Sequence, residues 1–364
     1  GQGKVLNFEG GSYKTVSRKL PLTVDIYDGG GGIREVNIYR NGKLIFNDTS
    51  LKSLQQNDMI SKVYEVDLVN EMNEFRVVVV NYQGIESRSD HLKIEYTGEQ
   101  IITASLHVLV VGINQYEKQD YNLNYAQSDA RSFMEKFMQN SRALFKEVGN
   151  KIELYDREAT KENIMKAFEN IVAQSDPEDM FVFYYAGHGS VDEKTNEYYL
   201  VPTDITQLYG DSEQLKNKGI SATELKTMLS RIKSTQQLIL MDACHSGAAV
   251  TAFESKDEAS RKKAITQLAR SSGVAMLTAS NSLQFATEFD SLKHGVFTYS
   301  LLEALDGAAD TGDDKVSVYE LKLYMEREVP RISRQFGGQA QKPVAHVFGN
   351  DFPISLVGRK KDGD

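Results

Sequence analysis

From Leu20 to about Tyr96, apolar and polar residues alternate in short runs separated by turn chemistry. Leu22, Val24 and Ile26 share one face of an extended segment. Asp28 and the run Gly29–Gly32 break it. Ile33, Val36, Ile38 and Tyr39 lead to Asn41-Gly42, a two-residue hairpin signal, and Leu44, Ile45 and Phe46 follow on the return strand. Val63, Tyr64, Val66 and Leu68, then Phe75, Val77 and Val79, continue the alternation. Gln83-Gly84 turns the chain, and Leu92, Ile94 and Tyr96 close the series. Strands at this spacing with no helix between them predict a small antiparallel β-sandwich, with Thr97–Gln100 as a linker.

From His107 the pattern becomes one of strands alternating with helices, which predicts an α/β domain built on a mostly parallel sheet. Val108–Ile113, Met180–Tyr185, Leu238–Met241 and Val274–Thr278 are uninterrupted apolar runs, as expected of strands covered on both faces. Ala130, Phe133, Met134, Phe137 and Met138 fall at helical spacing from about Ser128, and Ile164, Ala167, Phe168, Ile171 and Val172 do so behind Thr160, a candidate cap. Ser221-Ala222-Thr223-Glu224 reads as a capping box, and Ser317–Glu320 caps a later helix. The segment Glu254–Ser272 is charged and polar; it fits a helix-containing surface segment or a mobile loop, and the loop is the expectation. The chain therefore divides into a sandwich and linker over residues 1–100 and an α/β domain over residues 101–364.

The formal net charge of −9 argues against a nucleic-acid binder that works by neutralising phosphates. It suits a basic partner or substrate. No apolar run approaches the ~18 residues needed to span a bilayer. The single cysteine excludes an intrachain disulfide framework or a multi-cysteine metal site. The opening Gly1-Gln2-Gly3-Lys4 is not an apolar signal segment. Such an opening also fits a fragment of something longer, which leaves secretion open, but a reducing cytoplasm is the simpler expectation. The first hundred residues hold no cluster of titratable or metal-ligating side chains. Their pattern is similar to immunoglobulin or fibronectin type III modules, which implies a spacer or a module that binds a protein partner.

Chemistry concentrates at two strand ends. Leu238–Met241 runs into Asp242-Ala243-Cys244-His245-Ser246-Gly247, which places the lone cysteine just beyond a buried strand. Met180–Tyr185 runs into Ala186-Gly187-His188-Gly189-Ser190, a histidine held between two glycines. In an open parallel sheet, the loops at the carboxyl ends of the strands line the ligand crevice. Adjacent strands of this kind bring a thiol and an imidazole to one edge, as a cysteine nucleophile requires. His245 neighbours the cysteine, but successive side chains of an extended chain diverge, so it is read as structural.

Tyr-Ala-Gly-His-Gly followed, from His188 to Cys244, fifty-six residues later by Asp-Ala-Cys-His-Ser-Gly closely resembles the caspase–metacaspase family, and most of all its bacterial, orthocaspase branch. The resemblance covers roughly Leu106 to Leu356. It implies a cysteine endopeptidase with Cys244 as nucleophile and His188 as acid/base partner. It further implies an oxyanion site formed by the backbone amides of Gly189 and Cys244. Family members that cut after aspartate line the first pocket with arginines, whereas metacaspases that cut after arginine or lysine use acids. Asp129 and Asp242 match those acids, so the implied substrates are proteins or peptides with a basic residue before the scissile bond. The segment Glu254–Ser272 lies where family members are cut between subunits, making Lys256, Arg261, Lys262, Lys263 and Arg270 candidate autocleavage sites.

The chain departs from the calcium-activated members in one place. Where they carry an acidic run it has Ser221-Ala222-Thr223, with Glu197 the one acid near the other expected ligand position. No cofactor and no metal are therefore expected. Asp310, Asp313 and Asp314 miss the EF-hand spacing and read as a solvated turn. Two alternatives stand beside the endopeptidase: a relative of gingipain, clostripain or separase, which share the histidine–cysteine order, and a catalytically silent adaptor in which the sandwich recruits a partner.

Overall fold

Alternating burial in the first hundred residues produces two facing sheets. The computed structural model describes residues 12–28, 31–51, 59–100, 104–192, 194–207, 211–243, 254–279, 288–289, 293–337 and 340–358. The first strands are β1 (Ser12–Thr15), β2 (Lys19–Tyr27), β3 (Glu35–Arg40), β4 (Lys43–Asp48), β5 (Met59–Asp67), β6 (Glu71–Val80) and β7 (Asp90–Tyr96). One sheet has the order β1-β7-β6-β3-β4 and the other pairs β2 with β5. Val24 and Ile26, Val36 and Ile38, Tyr64 and Val66, and Phe75 and Ile94 meet between them as the core. Asn41 and Gly42 both have positive φ, 50° and 86°, the backbone that a tight β3–β4 hairpin demands.

The remaining elements follow in order: β8 (Ser105–Gly112), α1 (Ala126–Ser141), β9 (Glu147–Tyr155), α2 (Lys161–Gln174), β10 (Met180–Ala186), β11 (Gly189–Val191) and β12 (Tyr198–Leu200). Next are α3 (Ser212–Lys218), β13 (Ile220–Ser221), α4 (Ala222–Arg231), β14 (Gln236–Asp242), α5 (Glu254–Ser272) and β15 (Ala275–Thr278). The chain continues with β16 (Glu288–Phe289), β17 (His294–Gly295), α6 (Val296–Glu303), β18 (Lys315–Ser317), α7 (Val318–Gly337), β19 (Val344–His346) and β20 (Pro353–Leu356).

Six strands form the central sheet, in the order β19-β15-β14-β10-β8-β9, parallel except for β19 at one edge. Alternate residues of β8 enter opposite cores, which explains its uninterrupted apolar sequence. Leu106, Val108 and Val110 join residues of α1, α6 and α7, whereas Leu109 and Val111 join those of α2, α4 and α5. Helices thus cover both faces and leave the strand ends as the accessible edge. The expected caps are present. Thr160 accepts from the Asn163 amide, and Ser221 and Glu224 form a reciprocal capping box.

One expectation is corrected. Glu254–Ser272 is a helix, not a loop. Its charge content hides a narrow apolar stripe, Ile265, Leu268 and Ala269, which is buried in the second core beside α4. An i, i+3, i+4 stripe is enough to hold a helix to a surface even when most of its residues are charged.

The sandwich is docked on the α/β layers by buried polar side chains. Arg40 donates to the Asp67 carbonyl and, at 2.6 Å, to Thr235 Oγ1. Lys43 Nζ donates to the carbonyl of Ile232, the C-cap of α4, and Tyr39 Oη donates to the Ser271 carbonyl near the end of α5. Arg18 pairs with Glu178 at 3.0 Å, and Lys226 with Glu35 at 3.2 Å. Two helix C-termini that flank the central strands therefore receive donors from the sandwich, where positive charge and N–H or O–H groups are favoured.

Burial holds the Lys43 ammonium well below the ordinary lysine range, with repulsion from Arg40 adding to the effect. The unfolded chain keeps that proton up to a pH of about 10.4. Between the lowered folded value and the unfolded one, the unfolded state binds more protons, so stability rises with pH across that window. Denaturant unfolding from pH 7 to 10 is expected to show wild type gaining stability relative to Lys43→Met. Parallel curves for the two proteins would mean that the amine is not desolvated.

Candidate active site

Strands β10 and β14 lie side by side in parallel register from Met180 opposite Gln236 to Ala186 opposite Asp242. Both leave the sheet at the same level, and the Gly187 amide donates to the Asp242 carbonyl at 3.3 Å. His188 follows Ala186 by two residues, and Cys244 follows Asp242 by two. Cys244 and His245 lie outside the described residues; Ala243, the residue before them, is buried.

His188 is only 1% exposed and is held at every level. Its backbone amide donates to Tyr116 Oη at 2.8 Å, and its carbonyl accepts from the Val201 amide at 3.0 Å and from Tyr185 Oη at 2.8 Å. The ring lies 4.8 Å from that of Tyr116 and meets Tyr121 edge-on at 6.2 Å. Nε2 is 2.7 Å from the Tyr121 carbonyl. A carbonyl can only accept, so Nε2 carries a proton, and in the neutral ring Nδ1 is the basic nitrogen. A backbone oxygen thus fixes the orientation of the ring. Burial raises the phenols of Tyr116 and Tyr185 above their ordinary range, so both remain neutral donors or acceptors.

Gly189 opens β11, opposite Leu200 in the pairing with β12. A Cβ there would collide with the Tyr198 phenol. Its φ is not in the left-handed region, so close approach of Tyr198, not turn geometry, requires glycine. Gly187 is similarly tight, since a Cβ would lie 2.9 Å from both Tyr116 Oη and Tyr185 Oη.

The two acids are brought together. Asp129, in the first turn of α1, is 3% exposed, and its carboxylate reaches across to β17. Oδ1 is 2.6 Å from His294 Nδ1, and Oδ2 accepts from the Gly295 amide at 3.0 Å. Asp242 ends β14, and its Oδ2 accepts from Thr298 Oγ1 at 2.8 Å, with Tyr184 Oη 2.6 Å from the same hydroxyl. A Cβ placed on Gly295 would stand 3.2 Å from Oδ2 of both acids. Any side chain at 295 would crowd both oxygens, and two such carboxylates can embrace one guanidinium or ammonium.

The other named residues separate from this cluster. Lys262, Lys263 and Arg270 lie on α5, where Arg270 pairs with Glu86 of the sandwich at 3.2 Å. Lys256 and Arg261 fall within the same helix, but their side chains lie outside the described residues. Glu197 accepts from the Thr223 amide at 2.8 Å, serving the N-terminus of α4. Among the described residues Asp310, Asp313 and Glu320 gather at one turn. Asp310 accepts the Gly312 and Asp313 amides, Asp313 that of Lys315, and Glu320 those of Thr311 and Ser317, so all three acids stabilise local backbone. Sequence reasoning missed His294, Thr298 and Tyr116 and the Tyr121 carbonyl. The first three carry no motif, and a carbonyl has no sequence signature.

A family model described as a caspase domain matches residues 105–348. No curated protein matches the chain. Among solved structures, protein GSU0716 of Geobacter sulfurreducens is 16% identical, covering 70% of this chain and 98% of its own, with a TM-score of 0.43. The fibronectin(III)-like modules of Clostridium thermocellum CbhA are 20% identical, covering 25% of this chain and 96% of their own, with a TM-score of 0.21.

Proposed function

The chain belongs to the caspase-domain family of cysteine peptidases, and from that premise we propose that it is an endopeptidase that cuts after arginine and lysine. The observation that carries this reading is the convergence of the buried Asp129 and the half-buried Asp242 carboxylates on Gly295, at the end of the strand that leads to Cys244. Two anions and a glycine gap suit a cationic side chain and would repel an aspartate.

In the proposed mechanism His188 Nδ1 takes the thiol proton and the Cys244 thiolate attacks the scissile carbonyl carbon. The oxygen of the tetrahedral intermediate is held by the amides of Gly189 and Cys244. When the C–N bond breaks, His188 returns the proton to the departing amine, leaving a thioester that water hydrolyses with the same imidazole as base. Nothing in these steps calls on a cofactor. Glu197 is engaged at the N-terminus of α4, and we propose that activity is independent of calcium.

Fluorogenic peptides ending in Arg, Lys or Asp test this reading. Turnover of the first two and not the third is expected, with Cys244→Ala inactive. Cleavage after Asp would overturn the acidic pocket, and no turnover of any peptide would favour the silent adaptor.

Processing between Lys256 and Arg270 is part of the same proposal, and the helix sets a condition on it. A helical peptide bond keeps its carbonyl in an i to i+4 hydrogen bond and does not lie extended in a cleft. Local unwinding of α5 must therefore precede cutting. Intact mass of purified wild type is expected to show two fragments, and that of Cys244→Ala one full-length chain. Identical full-length masses would remove autoprocessing.

A further inference from the structure

We propose that His294 is a positioning residue for the basic-residue pocket: it fixes the carboxylate plane of Asp129 and so favours arginine over lysine. The inference rests on the reading of Asp129 and Asp242 as that pocket, and adds a residue which the motifs do not contain.

The segment His294-Gly295 engages both oxygens of one buried carboxylate, through Nδ1 at 2.6 Å and the Gly295 amide at 3.0 Å. Two donors from adjacent residues leave a carboxylate little freedom to rotate about its Cβ–Cγ bond. The segment is itself fixed. β17 pairs with β16, Glu288 opposite Gly295 and Phe289 opposite His294, and Gly295 is the N-cap of α6. One turn into α6, Thr298 holds Asp242. A single short stretch, residues 294–298, thus orients both acids: one through an imidazole and an amide, the other through a hydroxyl.

Orientation matters unequally for the two basic side chains. A guanidinium is planar and pairs with a carboxylate through two parallel N–H···O bonds, which require the two planes to match. An ammonium acts as a point charge with rotatable donors, and tolerates a rotated carboxylate. Loosening Asp129 should therefore cost arginine substrates more than lysine substrates.

The test compares His294→Ala, His294→Asn and Asp129→Ala on matched peptides ending in Arg or Lys. Asparagine places an amide N–H close to the position of Nδ1. For His294→Ala, KM for the Arg peptide is expected to rise about 10–100-fold, the range for losing one hydrogen bond to a charged group. The loss should fall on KM more than on kcat, with the Arg-to-Lys preference reduced, and His294→Asn should restore most of both.

Equal losses for Arg and Lys, a loss confined to kcat, or an asparagine variant no better than alanine would each overturn the role. If Asp129→Ala raises KM and His294→Ala does not, the pocket stands and this inference fails. If Asp129→Ala leaves both peptides unaffected, the pocket reading itself fails. Thermal melting identifies an alanine variant that does not fold, and the asparagine variant then decides.

Discussion

Replacing His188 or Cys244 with alanine is expected to lower turnover of arginyl peptides by roughly 10³-fold or more, the scale seen when one member of a nucleophile–base pair is removed. Under the proposed mechanism the pair acts as a unit, so loss of both together should cost little more than loss of either. The physical reason lies in how His188 is held. Its backbone is tied to Tyr116, Tyr185 and Val201, and its Nε2 to the Tyr121 carbonyl. The imidazole is thus in place before substrate arrives, and no ordering cost falls on the reaction. Alanine at 188 also leaves the thiol without a base, so alkylation of Cys244 near neutral pH should slow. A His188→Ala protein with more than a tenth of wild-type turnover would remove the imidazole from the mechanism.

The second large effect concerns the pocket. Asp129→Ala or Asp242→Ala is expected to lower kcat/KM for Arg and Lys peptides by about 10²–10³-fold, in the range for truncating one partner of a buried, hydrogen-bonded charge pair. Gly295→Ala should act in the same direction without removing any charge. Its φ of −62° and ψ of 147° are ordinary for alanine, so the backbone is not strained. The added methyl would stand 3.2 Å from both carboxylate oxygens and crowd the place proposed for the substrate cation. A Gly295→Ala enzyme that melts like wild type and cleaves Arg peptides equally well would show that substrate does not pass between the two acids.

How much of this was readable in the residues depended on what each signal reports. Uninterrupted apolar runs announced the central strands because helices cover both faces of the sheet, and Asn41-Gly42 announced a hairpin because its backbone needs positive φ. Ser221 and Glu224 formed the capping box that their spacing implies. Asp129 and Asp242, 113 residues apart in sequence (242 minus 129), do approach a common point.

The misses share a cause. α5 was hidden because three buried side chains suffice to dock a helix that is otherwise charged. Arg40 and Lys43 carry no motif, and alternation alone cannot show that a second layer of protein covers the polar face on which they lie. His294 sits in a two-residue strand, too short for any periodicity, and its role depends on a residue far away in the chain. Backbone groups such as the Tyr121 carbonyl are invisible to any reading of side-chain types.

The docking of the sandwich connects these observations. Lys43 and Tyr39 donate to carbonyls at the ends of α4 and α5, and Arg40 to Thr235 just ahead of β14. The module is therefore built into the layer behind the cysteine strand and is more than a spacer. Its contacts lie at the amino-terminal end of β14, and the acidic cluster lies at the carboxyl end.

The decisive measurement is intact mass and peptide mapping after brief treatment with a peptidyl-arginyl chloromethyl ketone, which alkylates a thiol fastest when its basic side chain seats in a pocket beside that thiol. A single adduct on Cys244 is expected, absent from Cys244→Ala, strongly slowed in His188→Ala and Asp129→Ala, and not reproduced by the aspartyl reagent. No adduct on wild type, or equal labelling by the arginyl and aspartyl reagents, would contradict a thiol and an imidazole poised over an acidic pocket.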